Sequence, residues 1–479
     1  MDRLSIGVIV LVIYILLGTL VALASRRRLE AGEEGFYIAR GKLGSFLSAM
    51  TYAATTYSSF MIVGLVGFAY STGMGALGFE LVYLVSTLGL LLVFSRRVWR
   101  RAKERGWISP GEMLADIYGT RAIAMIASVI FLISLIPYAS AQLKGIGEAV
   151  AGLAGGDDRY YIVGVLLGVI VMIIWSLVAG IWSVAATDAL QGLWMLTAGT
   201  MLLVWLVLEL RSSGLGVASA FEVLEEAGLT GPGGFWSINI FLAFTIPWMF
   251  FAVTNPQVVQ RLFMPKDENS LKNMIRWFGV FGLYYTVLVV IIGLLARAAY
   301  ESGALGIGVD PSDPAQRDRV TPSLLYIANP VLAAIVFTSI VAASISTVDS
   351  ILLTLSSSIS RDMGAGRRAG LIGLVAVAIV LAGVALARLQ YIVLLSVLSS
   401  LMLLSLAPAT IAGWLGRRGE PRLVAVSMLV GPVIVFFEAI RTGSVRAAFI
   451  SQPLGVPVSV WILLTSTLLI IIAMRIKGS

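Results

Sequence analysis

The sequence predicts an all-α membrane protein of about thirteen transmembrane helices, with its N-terminus outside and its C-terminus inside. Three observations predict it. Hydrophobic residues make up 58% of the 479-residue chain and charged residues only 13%, whereas soluble domains carry about 25% charged residues; mean hydropathy is +0.95. Apolar runs of about 20 residues, the length that crosses roughly 30 Å of hydrocarbon, recur along the whole chain. Of the 34 Lys and Arg residues, 24 fall in alternate loops, the bias that marks cytoplasmic segments.

Taken in order, the runs cover residues 4–24, 43–70, 76–95, 121–152, 160–180, 184–209, 236–256, 275–299, 329–359, 369–387, 390–414, 422–440 and 456–474. The first contains Ala22-Leu23-Ala24, spaced like a signal-peptidase site, but Arg26, Arg27 and Arg28 follow at once and resist export, so a retained helix is expected. The net charge of +8 reflects loops such as Arg96-Arg97-Val98-Trp99-Arg100-Arg101-Ala102-Lys103, and no nucleic-acid partner is expected. Gly73-Met74-Gly75-Ala76-Leu77-Gly78 matches a dinucleotide fingerprint in letters, yet it follows a membrane run rather than a strand and reads as a turn. Gly41-Lys42 is followed by Leu43, not by the Ser or Thr of a phosphate-binding loop. The absence of Cys and His excludes disulfides, thiol nucleophiles, His/Cys zinc sites and histidine proton relays. The last run leads directly into Arg475 to Ser479, and no appended signalling domain is expected.

Three runs are unlike lipid-facing helices. The second carries Ser48, Thr51, Tyr52, Thr55, Thr56, Tyr57, Ser58 and Ser59 before Gly64 and Gly67, and is expected to lose helical regularity there. The seventh holds Thr245-Ile246-Pro247-Trp248; a mid-span proline removes one donor and frees the carbonyl a turn earlier. The ninth sinks Ala-Ser-Ile-Ser-Thr-Val-Asp-Ser, residues 343–350, into an apolar run. Polar groups at that depth are costly and mark a function. The second and seventh runs lie five spans apart and run in opposite directions. Paired interrupted helices in two inverted halves point to a transporter that binds its cargo at the bilayer midplane. A membrane enzyme would have to rely on Asp188 with Asp349, which lie in no recognisable catalytic motif. A channel and a proton-coupled carrier remain as alternatives.

Several local patterns resemble the sodium:solute symporter family. They are Ala53-Ala54-Thr55-Thr56-Tyr57-Ser58-Ser59-Phe60 with Gly64-Leu65-Val66-Gly67; Pro137-Tyr138 with Gln142; Trp182 through Thr187-Asp188 and Gln191-Gly192; Asn255-Pro256-Gln257 with Gln260-Arg261; and Ser346-Thr347-Val348-Asp349-Ser350 through Arg361-Asp362. The resemblance implies a 5+5 inverted-repeat core of the LeuT type. Residues 1–42 would form an extra helix and cytoplasmic loop, 43–209 the first repeat, 210–235 an extracellular loop, 236–414 the second repeat and 415–479 two further helices.

The resemblance further implies a sodium-coupled symporter of the cell membrane that imports a small organic solute by alternating access and suffices as a monomer. Na⁺ is the coupling ion, held by the carbonyls of Ala54, Tyr57 and Ala343 and the hydroxyls of Ser346 and Thr347. Asp188, Asp349 and Ser350 would serve a second ion or a proton. Thr56, Ser58, Ser59, Phe60, Glu80, Tyr138, Gln142 and Trp248 would line the solute pocket, Glu80 matching an acid of sugar-carrying relatives. Proline carriers of the family hold an acid where this chain has Thr56, which lowers a proline assignment, and the sugar-type pattern is incomplete around Phe60. A potential of about 100 mV is worth roughly 2.3 kcal/mol per charge and a tenfold Na⁺ gradient about 1.4 kcal/mol. Together they allow about 500-fold accumulation per Na⁺.

For Asp188 a helix N-cap is the competing reading. Lys144 and Glu148 are spaced to satisfy each other across one helical turn, or Lys144 meets a substrate carboxylate.

Overall fold

The computed structural model describes residues 2–231 and 234–478; positions 232 and 233 of the expected loop 210–235, and the terminal Met1 and Ser479, lie outside the described residues. Its regular structure is helical. The main helices are α1 (Arg3–Arg26), α2 (Ser45–Thr56), α3 (Phe60–Thr72), α4 (Gly75–Arg105), α5 (Arg121–Leu153), α6 (Asp158–Leu177), α7 (Gly180–Ser212), α8 (Ile238–Met249), α9 (Glu268–Glu301), α10 (Pro330–Asp362), α11 (Gly366–Leu386), α12 (Ile392–Leu403), α13 (Leu406–Trp414), α14 (Pro421–Thr442) and α15 (Val458–Lys477). Among the described residues, ten helices are long and apolar enough to cross a membrane, or twelve if each of the bent pairs α2/α3 and α12/α13 is one span. The shorter apolar α8 covers the seventh predicted run.

The breaks have local causes. α6 and α7 are separated at Gly180, whose φ of 52° and ψ of 178° suit a residue without Cβ. The bend of 57° between α12 and α13 was not anticipated. Pro408 explains it, because its ring cannot donate to the carbonyl of Leu404 and clashes with it. In the seventh run the interruption lies beyond Pro247, which stays inside α8. The chain leaves helical geometry at Phe250 and again at Asn255, with ψ of 114°. The second break is forced by the ring of Pro256, which drives the preceding residue to an extended conformation.

α10 is the central element. Asn329 accepts the Leu332 N–H at its N-terminus (2.9 Å) and Pro330 occupies the first turn, both standard start signals. Its most apolar window is 89% buried inside the protein, against 22% for α1. A hydroxyl-bearing helix can sit at this depth because α2, α5, α6 and α7 surround it. α1 packs with α7 and α10 at the periphery and keeps Leu16 and Leu20 exposed toward lipid.

Candidate cation and solute site

α2 ends where the hydroxyl run predicts. The last helical bond passes from the Tyr57 N–H to the Ala53 carbonyl (2.8 Å), and Tyr57 is extended at φ −93°, ψ 112°. The chain resumes as α3 after a turn of 46°. Facing this break, Ser346 Oγ on α10 lies 2.8 Å from the Ala54 carbonyl and 3.0 Å from that of Ala343. Thr347 Oγ1 lies 3.4 Å from the Ala54 carbonyl and 3.3 Å from that of Thr55. Five oxygens thus converge with only two hydroxyl protons to share among them. A hard cation that accepts several oxygens fits such a cluster, and no carboxylate is required. Ser346 does bond back to its own preceding turn, as a purely structural serine would, but it also reaches α2. Of the predicted ligands, Ala54, Ala343, Ser346 and Thr347 are brought together. Tyr57 marks the break, and its ring is stacked on Phe278 and Phe281 of α9 (centroids 5.7 and 5.6 Å).

The second predicted group divides. Asp188 lies two turns inside α7 rather than capping it, and accepts Thr51 Oγ1 at 2.5 Å. Ser350 Oγ lies 2.8 Å from Thr55 Oγ1 and accepts from Arg261. Asp349 instead faces α6, where Ser176 Oγ donates to it at 2.7 Å. The two carboxylates therefore engage different helices and do not share a site in this conformation. Arg261 was visible in the sequence only as part of a motif. Its guanidinium links Thr51 and Ser350.

The predicted solute residues are all buried, and all but Thr56 form a connected group. Ser59 Oγ donates to Gln142 Oε1 (2.7 Å), whose amide donates to the Tyr138 carbonyl (3.2 Å). The Trp248 indole N–H donates to Glu80 Oε2 (3.2 Å), and its ring meets Phe60 at 5.1 Å. Phe251, absent from the predicted set, joins the two sides, with centroids 5.1 Å from Trp248 and 6.2 Å from Tyr138; Tyr83 adds a further wall against Trp248 at 5.6 Å. Thr56 bonds back to the Tyr52 carbonyl (2.7 Å). Ser58 Oγ accepts the Phe60 N–H (3.2 Å) and thereby supports the start of α3. Among the described residues, Glu80 is buried with the Trp248 indole N–H as its hydrogen-bond partner and no base in ion-pair range.

Lys144 is paired with Asp318, not with Glu148. Asp318 also accepts the Ile392 N–H at the start of α12 (2.9 Å). Glu148 faces Arg319 (4.0 Å) and Arg388 (3.9 Å). Arg317 is held over the rings of Phe68, Phe235 and Tyr391 at 5.5, 5.5 and 5.0 Å. Helical spacing suggested the Lys144–Glu148 pair, but a residue brought in by a distant loop won.

A helical membrane protein whose broken span meets a hydroxyl-bearing central helix has the architecture of a secondary transporter. The chain belongs to the sodium:solute symporter family, whose model matches residues 36–368. It is 25% identical over 365 residues to a sodium/proline symporter of Staphylococcus aureus, covering 74% of this chain and 67% of that protein. The sodium/proline symporter of strain JH9 is 23% identical over 364 residues, with the same coverage. Among solved structures, the fold matches a Na⁺-coupled sialic acid symporter in a substrate-bound outward-open state, with a TM-score of 0.78 at 18% identity over 99% of this chain and 97% of that one. A nucleobase-cation-symport-1 family transporter in a closed conformation matches with a TM-score of 0.53 at 14% identity, covering 92% and 94%. At these identities the structural likeness is one of fold.

Proposed function

We propose that the protein is a sodium-coupled symporter of the cell membrane that imports a small organic solute by alternating access. It would act as a monomer of thirteen spans, N-terminus outside and C-terminus inside. In this reading α8 with Phe251–Thr254 is the seventh span, and residues 43–209 and 236–414 are inverted halves. The observation that carries the reading is the meeting of the Ser346 and Thr347 hydroxyls with the Ala54 and Thr55 carbonyls. Na⁺ would displace the two hydroxyl protons from these carbonyls, joining α2 to α10 through the ion. Because α3 begins three residues later, ion occupancy at the break fixes the direction of Ser59 and Phe60, which face the solute group. Coupling then follows from geometry: the ion shapes one wall of the pocket.

In this reading the solute brings a hydroxyl or ammonium donor to Glu80, which the Trp248 indole N–H already meets on one side. Thermal unfolding of purified protein against a solute library, in Na⁺ and with K⁺ substituted, tests ion and solute together, since only what binds the folded state stabilises it. Stabilisation by a solute in Na⁺ alone is expected; equal stabilisation in K⁺ would remove the sodium coupling. A proton-coupled carrier using Asp188 or Asp349 would show uptake that follows pH and ignores Na⁺. A channel would pass ions faster than domain motions allow.

A further inference from the structure

The predicted second ion station contains a cation that belongs to the protein. Arg261 ends the short helix Pro256–Arg261 that follows the break at Asn255, and at 1% exposure it heads the largest fully buried side chains. Its Nε donates to Thr51 Oγ1 at 3.1 Å and its Nη2 to Ser350 Oγ. Thr51 in turn donates to Asp188 Oδ2 at 2.5 Å, and Ser350 meets Thr55 Oγ1 at 2.8 Å. The guanidinium thus touches two hydroxyls of the polar group that also includes Asp188 and Thr55. Asp188 Oδ1 and Arg261 Nη1 have no hydrogen-bond partner, which leaves both groups able to adjust.

We infer that Arg261 is a tethered cation that fills the station between Asp188 and Ser350, so that the protein binds one Na⁺, at the Ala54–Ser346–Thr347 cluster, and not two. The inference rests on the sodium-symport reading above. One carboxylate and one guanidinium balance each other; a further Na⁺ among the same hydroxyls would meet a like charge at short range in a medium of low dielectric. Arg261 also acts as a positioning residue. Thr55, whose hydroxyl joins the Arg261 network, is the residue whose carbonyl faces Thr347, so the guanidinium holds the end of α2 against α10 just beside the proposed ion cluster.

Equilibrium binding of radioactive Na⁺ to the purified full chain, with Na⁺ itself as the probe, tests this. The wild-type protein should bind one Na⁺ with a Hill coefficient near one. Arg261→Gln should raise the number to two, because Asp188 then lacks its counter-charge, and Arg261→Gln with Asp188→Asn should return it to one. Arg261→Lys, which keeps the charge, should stay at one. Thermal unfolding of each variant confirms that it is folded. Two Na⁺ per wild-type chain would overturn the inference without a variant, and one Na⁺ in folded Arg261→Gln would overturn it while leaving the symport reading intact. No Na⁺ bound by the wild type would remove both.

Discussion

Two buried polar regions of this molecule obey opposite rules. At Asp318 the carboxylate is satisfied: Lys144 pairs with it and the Ile392 N–H donates to it. At the break after α2, by contrast, the hydroxyl protons of Ser346 and Thr347 are too few for the Ala54, Thr55 and Ala343 carbonyls they face. A buried group without a partner costs about 1–3 kcal/mol. A cation at the cluster would supply the partner that these carbonyls share too few protons to find. The difference separates a structural clamp, an acid held by a base, from a binding station built of hydroxyls and carbonyls alone.

The comparison breaks most visibly at the clamp. Lys144→Met strands Asp318 without its charge partner, at 5% and 1% side-chain exposure for the pair, and should lower stability by about 3–5 kcal/mol. Adding Asp318→Asn should recover most of the loss in thermal unfolding. Next in size, Ser346→Ala and Thr347→Ala should each weaken Na⁺ by about 10- to 100-fold, the range set by the roughly 1.5–3 kcal/mol of a bond to a charged group. Their melting temperatures in the absence of Na⁺ should hardly move. A matching loss of stability would make the station a second clamp.

Glu80→Gln sharpens the contrast within the station. It should weaken the solute about tenfold in uptake assays while leaving Na⁺ binding without solute unchanged, because Glu80 touches Trp248 and not the ion cluster. Smallest is the loop pair of Glu30 with Lys42 and Arg40. The bond from Lys42 holds the Glu30 carboxyl below its ordinary value, so its contribution is present above that ordinary value and lost as pH falls through the lowered one. The group lies at the surface with its side chain 36% exposed, and Glu30→Gln should leave the melting temperature nearly unchanged.

Much of this was legible in the sequence, for physical reasons. A span declares itself by hydropathy alone, so twelve of the predicted runs coincide with helices or bent pairs long and apolar enough to cross a membrane, and the seventh with the shorter α8. The break in the second run followed from its hydroxyls, and Ser346 and Thr347 lie against the carbonyls of Ala54 and Ala343 but also that of Thr55, which was not expected, while the Tyr57 carbonyl, which was, is not among their partners. What depended on three-dimensional return was hidden. Asp349 is one residue from Ser350, yet that single step turns it from α2 to Ser176 on α6. The Lys144–Asp318 pair joins positions 174 apart, which no helical spacing can suggest. The bend at Leu404 was readable from Pro408, four residues on, and Pro256 likewise placed the break at Asn255 better than Pro247 did.

Gly67 presents only hydrogen to the loop that carries Arg317 and Asp318; a Cβ there would stand 1.9 Å from the Arg317 carbonyl. Helix and loop consequently lie against each other with no thickness to spare. Adding one methyl group at that point would act as a doorstop, propping this end of the bundle ajar however well the distant ion cluster is formed.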